Sequence, residues 1–219
     1  MNERSYPALY QDDQGVEAVT LRNDGKALRV TVRGVEFRGV DFDALEPVAG
    51  VEAAERAGFC LSQGALCACE LEFTMTLPVE TPGATRVCEL RVALTFGRPA
   101  SDGALEREEL LLELRFEGRK LRSSGKDGWF EDALLGLQRQ LPEGAYLRAC
   151  IGCAYSDYNP AGHGLFGGLA CFRDNKAAYR AVRDKRSLFA IWDTMTEYVQ
   201  ETHLCPEFER RTPGAGYRG

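Results

Sequence analysis

From Cys67 to Leu77 every second position is apolar: Cys67, Cys69, Leu71, Phe73, Met75 and Leu77 alternate with Glu70, Glu72, Thr74 and Thr76. A period of two over this length predicts a strand with one buried face. The pattern returns at Cys88, Leu90, Val92, Leu94 and Phe96, and again at Leu110, Leu112, Leu114 and Phe116. The links between them, Pro78 to Thr85 and Gly97 to Gly103, read as loops. Three consecutive strands on short links predict an antiparallel meander with one apolar and one charged face.

Upstream, Val19 to Leu21 and Leu28, Val30 and Val32 flank Asn23-Asp24-Gly25-Lys26, residues that tolerate positive φ, so a hairpin is expected there. Parity then flips to Val35 and Phe37 across Arg33-Gly34, as a second tight turn requires. The first dozen residues read as a loose arm, and residues 42 to 57 as a loop with a short helix. Gly125 to Gly128 read as a loop into a helix over Trp129 to Leu141, with Phe130, Leu134, Leu137 and Leu141 on one face until Pro142 stops it. A short strand from Ala145 to Ile151 would deliver Cys150. Farther on, Asp174 or Asn175 is placed to cap a helix running to about Asp184, and Ser187 to cap another whose apolar residues recur at helical spacing up to Gln200. The tail from Arg210 has no period.

At 219 residues and 44% hydrophobic the chain can bury an ordinary core. No apolar run approaches the roughly 20 residues that cross a bilayer, and the first residues lack a secretory pattern. A cytoplasmic location is therefore expected, where eight cysteines are thiols or metal ligands before they are disulfides. The net charge of −6 argues against general nucleic-acid binding.

The chemistry concentrates between Ala149 and Lys176. Cys150 and Cys153 form a Cys-x-x-Cys turn, which sets two sulfurs on one side of an ion with little strain. Cys171 and Cys205 complete a tetrahedral four-thiolate set, and the cofactor expected is structural zinc. Two other readings stay open: buried thiols without a metal, and a redox pair. His203 and His163 are candidate substitute ligands, and Asp157 a candidate for bonding loop amides or the ligand shell. Gly162-His163-Gly164-Leu165-Phe166-Gly167 matches a dinucleotide fingerprint in letters, but Pro160 precedes it where a strand is needed. Cys60, Cys67, Cys69 and Cys88 fit apolar strand positions better than a second metal site. Arg173, Lys176, Arg180 and Arg183 could offer a surface to an anion or partner, with a solvated helix face as the plainer reading. No catalytic motif is present.

Cys-Ile-x-Cys from Cys150, Ser-Asp-Tyr-x-Pro from Ser156, Cys-Phe-Arg from Cys171 and the closing Pro-Gly-x-Gly-Tyr-Arg-Gly resemble an uncharacterised bacterial family, a domain of unknown function. The resemblance covers roughly the last third and implies that the four cysteines belong together. It implies no activity.

The expected fold is β-rich α+β: an antiparallel sheet or sandwich with a covering helix over residues 1–148, then a four-cysteine zinc module with two helices over 149–219. The function expected is non-enzymatic: a zinc-stabilised binding protein of adaptor, regulatory or toxin-neutralising type, with a protein partner and no membrane. Metal-dependent hydrolysis or transfer on an anionic substrate is the alternative, and RNA binding a weaker one.

Overall fold

The computed structural model describes residues 3–125, 128–214 and 216–218. The expected arm, the 125–128 loop and the tail therefore each include positions outside that description: Met1 and Asn2, Lys126 and Asp127, Ala215 and Gly219. The chain runs β1 (Arg4–Asp12), β2 (Gly15–Asn23), β3 (Leu28–Val32), β4 (Val35–Gly39), β5 (Glu46–Pro47), α1 (Val51–Arg56), β6 (Cys60–Ser62) and β7 (Ala65–Cys67). It continues through β8 (Cys69–Thr81), β9 (Ala84–Phe96), β10 (Glu108–Phe116), β11 (Arg119–Arg122), α2 (Phe130–Gln138) and β12 (Tyr146–Leu147). The last third holds β13 (Ser156–Asp157), β14 (Leu169–Cys171), α3 (Lys176–Arg180), α4 (Lys185–Ala190) and β15 (Glu197–Val199).

The main sheet has the order β11-β10-β9-β8-β1-β2-β3-β4-β5, with β12 pairing a free stretch of β8. All these pairings are antiparallel, as the meander pattern predicts. One face carries Leu71, Phe73, Met75, Leu90, Val92, Leu94, Leu110, Leu112 and Leu114, all buried. The other carries charge, matched in sign across strands: Arg91 pairs with Glu72, Arg115 with Glu89, and Lys120 and Arg122 with Glu113. The turn after β3 uses Arg33 and Gly34 at φ 46° and 78°, the conformation that lets a two-residue loop follow strand twist.

Several expectations need correction: the helix expected to reach Asp184 stops at Arg180, and the strand expected over Ala145 to Ile151 is only Tyr146–Leu147, with Cys150 in a 3₁₀ turn beyond it. The first dozen residues are not an arm: β1 lies between β2 and β8 and buries Tyr6, Ala8 and Tyr10. Its alternation is muted because small Ala8 and amphipathic tyrosines carry it, with Pro7 between them. Nor is Pro78 the start of a loop, since β8 and β9 stay paired to the Thr81–Ala84 closure. A residue's N–H and C=O point to the same side of a strand. The Pro78 carbonyl accepts from Arg148 N–H at 2.9 Å, so the missing N–H faces β12 and takes nothing from the β8–β9 ladder. Finally, the helix expected up to Gln200 stops at Ala190. A single 3₁₀ turn over Trp192–Thr194 follows, and Glu197–Val199 pairs with β14. An apolar i, i+3, i+4 pattern does not distinguish one helix from a short helix plus a strand. The helix that does form, α4, is capped by Asp184, whose carboxylate accepts from Ser187 N–H at 2.7 Å, so Ser187 is the third helical residue and not the cap.

The apolar face of the sheet is covered by α2, through Phe130, Ala133, Leu134 and Leu137, and by Cys150, Ile151, Leu165 and Phe166 from the last third. Phe42, in the loop after β4, is the meeting point: its ring lies 5.6 Å from Phe73, 5.6 Å from Phe130 and 5.2 Å from Phe166. A smaller second cluster joins Tyr155, Phe172, Tyr179, Val182 and Leu188. Replacing Phe42 with alanine should cost about 3–5 kcal/mol, because an enclosed aromatic leaves a cavity that packed neighbours only partly fill. A lower urea midpoint at unchanged slope is the expected reading, and an unchanged midpoint would remove Phe42 from this role.

Candidate metal centre and the adjoining cleft

The Cys-x-x-Cys segment is a single 3₁₀ turn, Cys150–Gly152, closed by Cys153 N–H donating to the Cys150 carbonyl at 3.1 Å. Ser156 Oγ sits 2.6 Å from the Cys150 carbonyl and 3.2 Å from that of Cys153. Two other segments are tied to this turn by backbone. Ser156 faces Cys171 across the β13–β14 ladder, and the amides of Cys150 and Ile151 donate to the carbonyls of His203 and Glu201 at 3.0 and 2.9 Å. Cys205 follows two residues on.

All four thiols are buried: Cys150 is 2% exposed, Cys153 4%, Cys171 4% and Cys205 8%. None is in a disulfide. Burial pushes the Cys150 thiol well above its ordinary range, and the charges of Cys153, Cys205 and Cys171 push in the same direction, which places the four within electrostatic reach of one another. Burial also raises Cys171, opposed by the backbone and charge of Arg173. Among the described residues, no three Cys, His, Asp or Glu side chains are aligned to hold an ion. The donor chemistry nevertheless suits zinc: four sulfurs, no competing carboxylate among the groups that shift Cys150, and burial that disfavours thiolate until a cation compensates.

The other candidate residues lie elsewhere. His203 borders a separate cleft with Arg4, Asn23 and Leu204, and burial lowers its pKa. His163 stacks on Tyr158 with ring centres 4.0 Å apart and points Nε2 at Glu131, 3.5 Å away. Asp157 is fully buried, and its carboxylate accepts from Tyr158 N–H at 3.0 Å, the Tyr179 hydroxyl at 2.8 Å and Tyr217 N–H at 3.1 Å, with Arg218 Nε 4.0 Å away. It pins the turn, α3 and the C-terminal tail together. The basic residues do not form an open cationic face. Arg173 is bound to Glu197 at 2.6 Å, Lys176 to Glu207 at 2.9 Å and Arg180 to Glu209 at 2.9 Å, while Arg183 donates to the carbonyls of Arg180 and Val182.

Beside the turn, the glycine-rich segment, Val40 and Asp41 of the β4–β5 link, and Tyr198 and Gln200 beyond β14 enclose a cleft of about 540 Å³. Two buried carboxylates hold its glycine wall. Asp41 accepts from Phe166 N–H at 3.0 Å, and Glu201 accepts from Gly167 N–H at 2.7 Å and from the Tyr158 hydroxyl at 3.0 Å. A Cβ on Gly164 would stand within 2.2 Å of the Asp41 carboxylate, so that glycine is required by packing and not by a phosphate. Burial, aided by the charges of Asp43 and Glu201, pushes Asp41 up to about 7 against the pull of its two amide donors. Glu201 is raised by burial as well. Sequence reasoning missed Asp41, Glu201 and the tail arginine Arg218, because nothing in a single sequence marks an acid or a terminal arginine as buried. The one available signal was the density of tyrosine and arginine around the turn.

No helix among the described residues is long and apolar enough to cross a membrane. A family model described as a family of unknown function, DUF6304, matches residues 4–156, and the chain belongs to that family. The match takes in the whole main sheet and ends just past Cys153, whereas most of the motifs that carried the resemblance lie beyond it. No curated protein and no solved structure matches the chain.

The folded Asp41 carboxyl keeps its proton to about pH 7, whereas an unfolded aspartate loses it at about pH 4. Between those values the folded state binds more protons, so this group's contribution to stability falls as pH rises, by up to about 1.4 kcal/mol per pH unit. Asp41→Asn should flatten the decline measured by denaturant titration across that window, leaving the parts that Asp43, Glu108 and Glu201 contribute with the same sign. Superimposable slopes for the two proteins would contradict the assignment.

Proposed function

We propose that this family member is a non-enzymatic binding protein whose last third is clamped onto the sheet by one zinc ion held by Cys150, Cys153, Cys171 and Cys205. The observation that carries the reading is that four buried, unbridged cysteines lie on three separated segments tied to one another by backbone hydrogen bonds and by the Ser156 hydroxyl. Zinc supplies the cation that makes four buried thiolates tolerable, and its binding free energy in small sites, about 10–16 kcal/mol, rivals the stability of a whole domain. The surface such a clamp would hold in shape is the adjoining cleft. Val40 at 68% exposure and Tyr198 at 47% are large apolar groups left uncovered at its rim, the kind of residues a protein partner covers. Reduced, metal-binding thiols accord with a cytoplasmic location.

The alternative, a metal-dependent hydrolase or transferase acting on an anion, requires a ligand position open to solvent and free cations beside it. The four cysteine residues are at most 8% exposed, and Arg173, Lys176 and Arg180 are paired with acids. RNA binding through the same basic residues meets the same objection.

Protein purified without chelator should contain one zinc per chain by elemental analysis, and Cys153→Ser should lose it. X-ray absorption should report four sulfurs and no water. Removing the metal should collapse amide-exchange protection from about residue 150 onward while the β8–β10 region stays protected. Absence of stoichiometric zinc or iron would overturn the clamp, and a metal-bound water would shift the reading to the enzyme.

A further inference from the structure

A second thiol arrangement lies far along the chain from the first and does not depend on it. The hairpin of β6 and β7 sets Cys60 directly opposite Cys67, with Leu61 opposite Leu66 and Ser62 opposite Ala65. Its turn is Gln63-Gly64 at φ 51° and 90°, a two-residue loop that fixes the register. The Cys67 thiol donates to the Cys60 sulfur at 3.2 Å, and no disulfide joins them. A disulfide has an S–S length of about 2.05 Å, so closure needs the sulfurs to approach by little more than an ångström. The hairpin is tied to its surroundings by Leu66 N–H to the Leu45 carbonyl at 2.9 Å and Ala68 N–H to the Gly97 carbonyl at 3.0 Å, so the pair does not drift apart through fraying.

The two thiols are not equivalent. Cys60 is partly exposed, while Cys67 is 2% exposed. Burial pushes Cys67 up to about 12, with Cys60 adding to the rise and Arg98 opposing it. A reagent in solution therefore meets Cys60 first, with Cys67 held in place behind it. Cys69, at 5% exposure, is also pushed up to about 12 by burial, and the charge of Cys67 adds to that rise. Cys88 is in another setting, its Sγ 3.8 Å from the Arg86 carbonyl.

We propose that Cys60 and Cys67 form a reversible dithiol–disulfide couple, a modification site that reacts with low-molecular-weight disulfides of the glutathione type. The Cys60 thiolate attacks one sulfur of the small disulfide, forming a mixed disulfide and expelling one small thiolate. Cys67 then attacks the Cys60 sulfur, its proton passing to the departing group, and the second small thiol leaves. The protein gives up two electrons and two protons, and one small disulfide becomes two small thiols. The expelled thiols run the sequence backward when they are in excess.

The full-length protein, incubated with oxidised glutathione, alkylated and digested, should yield a Cys60–Cys67 linked peptide lighter by two hydrogen atoms. It should lose Cys60 labelling by iodoacetamide and regain it with dithiothreitol. Cys67→Ser should instead accumulate a glutathione adduct on Cys60, and Cys67→Ala provides the same trap if the serine perturbs the hairpin. A stable adduct on Cys60 in the unaltered protein, a link from Cys60 to Cys69, or no reaction would each overturn the proposal. Zinc content read on the same samples separates this site from the four-cysteine turn, since oxidation at Cys60 and Cys67 should leave it unchanged.

Discussion

An antiparallel sheet whose charged side meets water has one apolar face left to cover, and that constraint organises this molecule. The face is wide, running from Phe116 in β10 across to Val30 and Phe37 in β3 and β4. Water against such a surface is unfavourable roughly in proportion to its area. The amphipathic α2 covers part of it, and Phe42 reaches in from the β4–β5 link. Leu45, Ala54, Phe59 and Leu66 join the same core, and Cys150, Ile151, Leu165 and Phe166 add to it, so the last third of the chain packs onto the sheet.

A segment recruited for cover has a small core of its own, the cluster around Tyr155, Phe172 and Tyr179. Polar contacts supply much of its order. Asp157 collects an amide from its own turn, a hydroxyl from α3 and an amide from the tail, which discharges the cost of burying a carboxylate by filling its lone pairs. Arg218 returns from the end of the chain to the Ile151 carbonyl at 2.9 Å and approaches Glu131 of α2 at 3.4 Å. Glu201 and Asp41 hold the glycine segment by adjacent amides, those of Gly167 and Phe166. Because these acids are deep and mutually repelling, their pairing with amides positions the loop more than it stabilises the fold.

The cysteines divide by the element that carries them. Those on the long strands β8 and β9 serve as small apolar residues of the buried face, whereas Cys60 and Cys67 face each other because a two-residue turn sets their register. The segments that carry Cys150, Cys153, Cys171 and Cys205 are tied together by a turn, a ladder and two carbonyls, a tertiary event that spacing hinted at only through Cys150 and Cys153.

The sequence alone determined the central strands, the hairpin turn at Asn23 to Lys26 and the covering helix. In each of these the signal is local: a period of two, a positive-φ turn, an apolar helical stripe. Where the buried face is carried by alanine and tyrosine, as in β1, the periodicity is too faint to read, and only pairing with β2 and β8 makes it a strand. The tertiary structure likewise decided that Glu197–Val199 is a strand and not a helix, because the free edge of β14 offers it backbone partners from a distant part of the chain. It also decided which acids are buried and which arginines are spent on pairing. Burial and partner choice depend on what arrives from distant parts of the chain, and no local pattern encodes that.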